Sequence, residues 1–435
     1  MKILIATIPA AGHVDPLTSV AAHLVARGHE VGWYIAPDLA GRVEPLGVTV
    51  YPYRTAVPVT DENIAELFPE RARLRGPKRL EFDFDHVFAA PVAGHVADIR
   101  AIHAAFPFEL LIGDAAFYAM SILGPTLGVT TYAVDPGNSL APDPDVPPPF
   151  FGLAPMRGPI GALRDRIVWS MVLGSTRAGL VSMNAARAQS GLATITPREI
   201  FTIPYDALDR VFQVGLPETD FCRRVPLPNT RYVGALLPSA GVRRPSHLDP
   251  RIESWAGPVV AVSQGTIDNR DLGKLIEPTI EGLAGSGVLV VAVTGGIGTD
   301  GLRRRLARED VVIEDYIAFR DLFPHTDVFV TNGGHGSAML ALAHRVPMVT
   351  AGTREGKNDV NARLERAGVA RNLRTERPKP ARIRAAVEAV LRDDGGMRRR
   401  IEQVGAALDS YDPLAIIESA IAEDFPSRTA QGAGT

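Results

Sequence analysis

The sequence contains a single cysteine, Cys222, and very few lysines. One cysteine cannot form an intrachain disulfide bond, and it excludes a zinc site built from several thiolates. Proteins without disulfide bonds are typical of reducing compartments, so we expect a cytoplasmic protein. Basic charge is carried almost entirely by arginine, which makes any lysine inside a motif informative.

Long apolar runs are also absent. The stretch from Val288 to Val293 is far shorter than the roughly 20 residues that a transmembrane helix needs. The apolar N-terminus, Ile3 to Ile8, continues directly into a helical pattern, which indicates a buried first strand rather than a signal peptide. We therefore predict no membrane span.

The chain carries little net charge. Its 46 basic and 49 acidic residues give a formal charge of −3. This balance provides no electrostatic reason to bind nucleic acid or an anionic membrane. We expect no nucleic-acid partner, and either a monomer or a homodimer.

The length of 435 residues suits two domains of roughly 200 residues each. Short apolar runs alternate with helical patterns in both halves, which indicates βαβ units around parallel sheets. We predict an α/β fold with Rossmann-like domains at 1–220 and 251–408, joined by a linker at 221–250 that is rich in Pro, Arg and Gly. A C-terminal helix and a flexible tail are predicted at 409–435.

The first βαβ unit has a clear pattern. Lys2 to Ile8 is predicted as a strand, Asp15 as a helix N-cap and Pro16 as the first helical residue. Gly28 is predicted to end that helix. Farther along, Pro136 to Phe151 contains six prolines and is predicted as a surface loop. Ligands of open parallel sheets bind beyond the carboxyl ends of the strands, so we expect functional residues in the loops that follow strands.

The loop after the first strand contains Gly12 and His13. Histidine has an ordinary pKa near 6.5, so it accepts protons near neutral pH and suits the role of a general base. The alternative is a histidine that only supports the turn. A dinucleotide-binding loop requires G-x-G-x-x-G, and Gly12 is the only glycine in this loop.

Asp114 ends the apolar run Leu110 to Gly113, so it is expected at the same edge of the sheet as His13. A carboxylate partner fixes the tautomer of a catalytic histidine and stabilises its charged form. An alternative role for Asp114 is the N-cap of the following helix, and the two roles are compatible.

A glycine-rich loop follows an apolar run in the second half, from Asn332 to Ser337. Strand, glycine turn and helix together expose backbone N–H groups at a helix N-terminus, which is a ready anion site. The alternative is a tight turn without a ligand. Ser263 to Thr266 forms a second loop of this kind, and neither loop has the lysine of a P-loop.

Taken in this order, the motifs resemble those of the antibiotic and macrolide glycosyltransferases, which are related to the UDP-glycosyltransferases and have the two-domain GT-B fold. The resemblance extends over nearly the whole chain. It implies two domains that face a central cleft, the first for the acceptor and the second for the donor. It is carried by Gly12-His13-Val14-Asp15-Pro16, Asp114, Ser263-Gln264-Gly265-Thr266, Glu314-Asp315-Tyr316-Ile317 with Leu322-Phe323-Pro324, Gly333-Gly334-His335-Gly336-Ser337, and Gly368.

The same resemblance implies the role of individual residues. His13 is the implied catalytic base, with Asp114 as its partner. The residues implied in donor binding are Gly265, Thr266, Tyr316, Ile317, Asn332, Gly333, Gly334, His335, Gly336, Ser337, Glu355 and Lys357.

Two positions depart from the usual family pattern. Asn332 stands where the family usually has a histidine, before the two glycines, that helps hold the donor's phosphates. Gly356-Lys357, preceded by Glu355, stands where it usually has Asp/Glu-Gln, which binds hydroxyls of the sugar. This combination resembles a less common branch with Asn-Gly-Gly and an acid followed by lysine. The alternative for Glu355 and Lys357 is a solvated loop.

The implied reaction is the metal-independent, inverting transfer of a hexose from a UDP- or TDP-linked sugar to a hydroxyl group of an apolar small molecule. The nucleotide sugar is a co-substrate, and no bound cofactor is expected. Aromatic side chains are expected to line the acceptor cleft: Phe82, Phe84, Phe117, Phe150 and Trp169. The alternatives are a sugar-nucleotide epimerase or lipid-linked glycosyltransferase with a GT-B-like fold, and a non-catalytic partner protein that binds a nucleotide sugar.

Overall fold

The computed structural model describes residues 1–60, 63–238, 247–265, 269–354 and 356–426. Three sequence predictions, those for Thr266, Glu355 and the tail after 426, lie outside the described residues. Within them the chain forms two parallel β-sheets with helices on their faces, as predicted.

The first sheet contains β1 (Lys2–Ala6), β2 (Glu30–Ile35), β3 (Thr49–Pro52), β4 (Leu110–Asp114), β5 (Thr130–Asp135), β6 (Arg210–Val214) and β7 (Thr230–Gly234). Its strands are parallel in the order β3-β2-β1-β4-β5-β6-β7. Because helices cover both faces, central strands such as β1 and β4 are apolar and buried almost throughout.

The second sheet contains β8 (Val259–Ser263), β9 (Leu289–Val293), β10 (Val311–Glu314), β11 (Val328–Thr331), β12 (Met348–Thr350) and β13 (Ala370–Asn372). Its order, β10-β9-β8-β11-β12-β13, is that of a doubly wound Rossmann sheet. The strand order switches sides at β8: β9 and β10 lie on one side of it, and β11, β12 and β13 lie on the other. Ligands of such sheets bind at this switch point, between β8 and β11.

The helices fall between the strands and after the last one. Their bounds are α1 (Ala11–Ala26), α2 (Ile64–Leu67), α3 (Gly76–Asp83), α4 (Val92–Ala105), α5 (Met120–Leu127), α6 (Gly158–Gly174), α7 (Arg177–Gln189), α8 (Ile203–Asp206), α9 (Pro250–Ser254), α10 (Ile276–Gly282), α11 (Thr299–Leu306), α12 (Phe319–Leu322), α13 (His335–Ala343), α14 (Lys357–Arg366), α15 (Pro380–Leu391), α16 (Gly396–Asp409) and α17 (Pro413–Asp424). Phe84–Ala89 forms a π-helical turn after α3, and short 3₁₀ turns cover Pro37–Arg42, Glu44–Leu46, Pro69–Arg73, Glu199–Phe201, Pro217–Thr219, Leu272–Lys274 and Phe323–His325. No helix of the described residues is both long and apolar enough to cross a membrane.

The start of α1 differs from the prediction. The helix begins at Ala11 with Ala10 as its N-cap, so Pro16 lies inside it rather than at its first position. Asp15 does not cap the helix, because it lies inside it, and its carboxylate accepts a hydrogen bond from Arg42 at 2.8 Å. The earlier start places His13 in the first helical turn, directly above the carboxyl edge of the sheet.

The predicted linker 221–250 is not wholly a connection, because it contains β7, which pairs with β6.

The C-terminal part of the chain returns to the first sheet. In α17, the main-chain carbonyl of Ala420 accepts a hydrogen bond from the Tyr132 hydroxyl at 2.8 Å, and Asp424 accepts one from Arg210 at 2.7 Å. The C-terminal helix therefore packs on the first domain.

Candidate active site

His13 and Asp114 meet at the carboxyl edge of the first sheet, beyond the adjacent strands β1 and β4. Nδ1 of His13 lies 3.0 Å from Oδ1 of Asp114. The carboxylate is fully buried and also accepts hydrogen bonds from the backbone N–H groups of Ile8 and Ala116, both at 2.9 Å. The carboxylate is therefore held in one orientation, and its interaction with Nδ1 leaves Nε2 of His13 as the basic nitrogen.

The imidazole of His13 remains accessible, with 30% of its side chain exposed. Desolvation lowers the pKa of His13, but the charge and hydrogen bond of Asp114 and the charge of Asp135 raise it by more, so the pKa lies above its ordinary value. An accessible imidazole that is held in one orientation, with its pKa raised by two nearby carboxylates, has the properties of a general base.

The two glycine loops of the second half lie side by side. Ser263 and Thr331, the last residues of β8 and β11, are paired in register. The side-chain amide of Asn332 donates a hydrogen bond to the main-chain carbonyl of Gln264 and so ties the loops together. Asn332 thus has a structural contact in the position where the resemblance led us to expect a phosphate-binding residue.

The glycine loop leads directly into α13. Gly333 adopts a φ of 92°, which favours glycine, and an added Cβ there would collide with Asn361. Gly334 caps α13 and accepts a hydrogen bond from the Ser337 hydroxyl at 2.9 Å. The N–H groups of the first turn of α13 have no partner within the helix, so the loop can bind an anion.

Several buried polar atoms beside these loops have no hydrogen-bond partner among the described residues. They are Oδ1 of Asn332, Nδ1 of His335, Oγ1 of Thr350 and Oδ1 of Asn361. Burial lowers the pKa of His335 to about 4, so its imidazole is neutral near pH 7. Unsatisfied groups concentrated at the end of a sheet are expected where a polar ligand binds.

The carboxyl edges of the two sheets face each other. A methyl group added to Gly215, directly after β6, would lie 3.8 Å from Nε2 of His335 in the glycine loop. Independently, the backbone of Phe150, beyond β5, bonds to Asp359 in the first turn of α14. His13 and the glycine loop therefore belong to edges that oppose each other across the domain boundary.

The chain is similar over its whole length to known sugar transferases. It is 31% identical to 4'-demethylrebeccamycin synthase from Lentzea aerocolonigenes, with 97% of this chain and 99% of that protein aligned. It is 28% identical to UDP-glycosyltransferase 2 from Phaeomoniella chlamydospora, over 92% of this chain and 90% of that protein. The chain belongs to the natural-product glycosyltransferases. Such enzymes transfer a sugar from a nucleotide sugar to a natural-product acceptor.

Solved structures confirm the predicted GT-B fold. The calicheamicin glycosyltransferase CalG4 superimposes with a TM-score of 0.75 at 19% identity, covering 97% of this chain and 98% of that one. No protein-family model matches the chain.

Three other residues predicted to bind the donor lie at the rim of the second sheet: Tyr316, Ile317 and Lys357. Tyr316 follows β10 and is 37% exposed, whereas the side chain of Ile317 is 2% exposed and packs into the hydrophobic core. Ile317 can therefore offer a ligand only its backbone in this conformation. Lys357 is the first residue of α14, and its N–H group donates to the carbonyl of Arg354 at 2.9 Å.

Among the described residues, no ring contact joins any two of the predicted acceptor-site aromatics of the glycosyltransferase, although Phe84, Phe150 and Trp169 pack against the hydrophobic cluster that contains Phe117. Phe82 stacks on His86, with 3.8 Å between ring centroids, and Trp169 packs edge-on against Phe201. Phe84 packs edge-on against Tyr118.

Phe117 does not lie where a residue lining the acceptor cleft is expected. Its ring is 1% exposed and packs against Tyr34 and His95, so it belongs to the core and cannot present a face to an acceptor in this conformation. Phe150 lies at the domain boundary against α14.

Asp135 is a site residue that sequence reasoning missed. It ends β5, next to Asp114 at the end of β4, and its oxygens accept hydrogen bonds from the Tyr205 hydroxyl at 2.7 Å and the Gly137 N–H group at 3.0 Å. Burial raises the pKa of Asp135, while the Tyr205 and Gly137 hydrogen bonds and the charge of His13 lower it. The available signal was its position, since Asp135 ends an apolar strand just as Asp114 does.

Two Asp-x-Asp sequences, at 83–85 and 143–145, have the spacing that metal-dependent sugar transferases use. Their carboxylates are engaged within the protein: Asp83 with Arg71, Asp85 with Ser182, Asp143 with backbone N–H groups and Asp145 with Arg224. In the part of the chain that the structure describes, no three His, Cys, Asp or Glu side chains are grouped as metal ligands. Metal independence stays a prediction.

A recess of about 650 Å³ lies at the opposite edge of the first sheet. It is lined mainly by residues at the amino ends of β5, β6 and β7, including Arg210 and Thr230, together with Asp424. No predicted site residue lines it, and ligands of parallel sheets bind at the other edge.

Proposed function

We propose that this glycosyltransferase is an inverting, metal-independent enzyme that moves a hexose from a UDP- or TDP-linked sugar to a hydroxyl group of an apolar natural product. The observation that carries the proposal is the pair of His13 and Asp114, 3.0 Å apart at an edge that faces the glycine loop of the second domain. A base and an anion site on opposed edges fit a reaction in which a proton leaves one substrate and a diphosphate leaves the other.

In this mechanism, the acceptor hydroxyl attacks the anomeric carbon from the face opposite the nucleotide. A new C–O bond forms as the bond between the sugar and the diphosphate breaks, and the hydroxyl proton passes to Nε2 of His13. Asp114 stabilises the imidazolium that results, because it already interacts with Nδ1.

The leaving diphosphate gains negative charge as the bond breaks. Backbone N–H groups from Gly334 to Ser337 and the dipole of α13 would oppose that charge. These groups are fixed by the cap at Gly334 before any ligand arrives, so little reorganisation is needed during the reaction.

Product analysis tests the proposal. The protein is incubated with UDP- and TDP-linked hexoses, with and without a panel of apolar hydroxylated aromatic compounds. A glycosylated product of inverted anomeric configuration is expected only when an acceptor is present. Conversion of the donor to another sugar nucleotide without an acceptor would identify an epimerase, and donor binding without any turnover would identify a non-catalytic binding protein.

A further inference from the structure

The proline-rich segment 136–151 contains no helix or strand, as predicted, but it is not a surface loop. Val146 to Pro149 are buried, and the segment crosses to the second domain. It begins directly after Asp135, beside the catalytic pair, and ends against the first turn of α14. It therefore connects the predicted acceptor side of the cleft to the predicted sugar-binding side.

Asp359 holds the far end of this segment with both carboxylate oxygens. Its Oδ2 accepts from the N–H group of Phe150 at 2.5 Å, and its Oδ1 accepts from that of Gly152 at 2.7 Å. The neighbouring Asn358 donates from its side-chain amide to the carbonyl of Phe150 at 2.7 Å. Three hydrogen bonds thus join two consecutive residues of α14 to one short stretch of the other domain.

The backbone of this stretch is shaped for the contact. Phe150 has a φ of 74° and Gly152 a φ of 60°, so both lie in the left-handed region, which phenylalanine rarely adopts. Alternation of this kind turns neighbouring N–H groups towards one point and makes a small anion-binding concavity. An unfavourable backbone conformation persists only where surrounding contacts impose it, and here Asp359 fills the concavity.

The packing around the contact leaves little free space. A residual cavity of about 10 Å³ remains, bounded by the segment, by Phe221 and by Asp359 and Arg363. Arg363, one helical turn beyond Asp359, forms a second bond across the boundary, at 2.6 Å to Asp220. Because both contacts arise from α14, this helix is fixed to the first domain along its length.

Lys357, the predicted sugar-binding residue, lies two positions before Asp359 in the same helical turn. Phe150, a predicted acceptor-site residue, supplies the bonded backbone. We propose that Asp359 is a positioning residue that fixes the acceptor loop to the helix carrying the sugar-binding lysine. The acceptor and the sugar are then positioned by two segments, the acceptor loop and α14, that are hydrogen-bonded to each other. This inference rests on the proposed function and adds a residue to it.

The test compares Asp359→Asn and Asp359→Ala with Glu365→Gln. Glu365 lies on the same helix and bonds to Arg374 of the same domain, so its substitution removes a charge without touching the boundary. Hydrogen–deuterium exchange of the peptide covering 150–152 reports the contact without any catalysis. We expect exchange at least about tenfold faster in both Asp359 variants, since hydrogen bonds to a charged group are lost, and wild-type exchange in Glu365→Gln.

Steady-state kinetics test the role. The KM for the acceptor is expected to rise about tenfold in the Asp359 variants, because the hydrogen bonds that hold the acceptor loop in place are lost. The KM for the nucleotide sugar is expected to stay within about twofold of the wild-type value. Hydrolysis of the donor relative to transfer is expected to rise, because a loosened loop admits water. Asn358→Ala removes one hydrogen bond and no buried charge, so it is expected to shift the exchange rate and the acceptor KM in the same direction by a smaller amount. This milder variant keeps the test available if an Asp359 variant fails to fold.

Unchanged exchange at 150–152, an unchanged acceptor KM, or an equal rise of both KM values would each overturn the positioning role. If the wild-type protein transfers no sugar to any acceptor, the proposed function itself fails, whatever the exchange shows. If the wild type transfers sugar and all variants behave like it, only the role of Asp359 fails.

Discussion

Asp114 binds His13 at Nδ1, 3.0 Å away, while the backbone N–H groups of Ile8 and Ala116 hold the same carboxylate from behind. This arrangement fixes which ring nitrogen carries the proton and which one is free. Ile8 follows β1 and Ala116 follows β4, so the ends of two neighbouring strands form the support. The geometry of the pair is therefore a property of the sheet rather than of one loop.

Replacing His13 by alanine is expected to lower the rate of glycosyl transfer at least about a hundredfold, since a positioned general base contributes this much. The fold should persist, because the His13 side chain is partly exposed and, among the described residues, hydrogen-bonds to Asp114 alone. Transfer is measured by chromatography at saturating donor. The nucleotide-sugar-induced rise in melting temperature serves as control and should match that of the wild type. A transfer rate near the wild-type value would exclude His13 as the base.

Replacing Asp114 by asparagine is expected to change the pH profile of kcat/KM. The base must be unprotonated, so activity falls as pH drops through the pKa of His13, which lies above its ordinary value in the wild type. Without the carboxylate this pKa falls, and the acid limb of the profile moves to lower pH. The plateau rate is expected to fall by about a hundredfold or more, because the imidazolium loses its partner.

Asp135→Asn provides the matched control for that experiment. The charge of Asp135 also raises the pKa of His13, but within the described residues its carboxylate is hydrogen-bonded to Tyr205 and Gly137 and not to the imidazole. The acid limb should therefore shift in the same direction by a smaller amount, with a plateau near that of the wild type. An acid limb that moves to higher pH in either variant would contradict this account.

Treatment with EDTA is expected to leave the transfer rate unchanged. In the proposed mechanism, the leaving diphosphate is stabilised by the N-terminus of α13 rather than by a cation. The rate is compared before and after dialysis against EDTA, with and without added Mg²⁺ or Mn²⁺. Loss of activity that either metal restores would overturn metal independence.

The parts of the fold that could be predicted are those in which one local signal dominates. The strand β4, Leu110–Asp114, coincides with the apolar run that the sequence shows up to Asp114, because all five of its residues are buried. The edge strand β7, Thr230–Gly234, was assigned to the linker, because two of its residues are only partly buried and one is exposed, which gives no clear apolar run. Edge strands owe their stability to a neighbour, and that neighbour is not visible in the local sequence.

In the candidate site too, features with a local sequence signal could be predicted, and contacts between distant parts of the chain could not. The placement of His13, Asp114 and the glycine loop at the carboxyl ends of strands could be predicted, because each lies at or just after the end of an apolar run. The bond between Phe150 and Asp359 joins residues 209 positions apart, so only the assembled fold brings them together. Phe117 was misassigned because an aromatic residue in a helical pattern looks alike whether it lines a cleft or packs in the core, and its 1% exposure decides for the core.

Gly336 offers a direct test of the anion site. It is exposed in the first turn of α13, and a Cβ added there meets no atom within 4 Å. Gly336→Asp puts a negative charge at a helix N-terminus, where it favours folding but repels a diphosphate. The affinity for the nucleotide sugar, measured by calorimetry, is expected to fall at least about tenfold, which corresponds to about 1.4 kcal/mol.

Gly336→Ala is the control for that substitution. Alanine adds the Cβ without the charge and favours a helix by about 1 kcal/mol over glycine, so the melting temperature should not fall. Nucleotide-sugar affinity should remain within about threefold of the wild type, because the backbone N–H groups stay in place. Equal affinities in the aspartate variant and the wild type would mean that the diphosphate binds elsewhere, since a like charge beside it cannot be without effect at such short range.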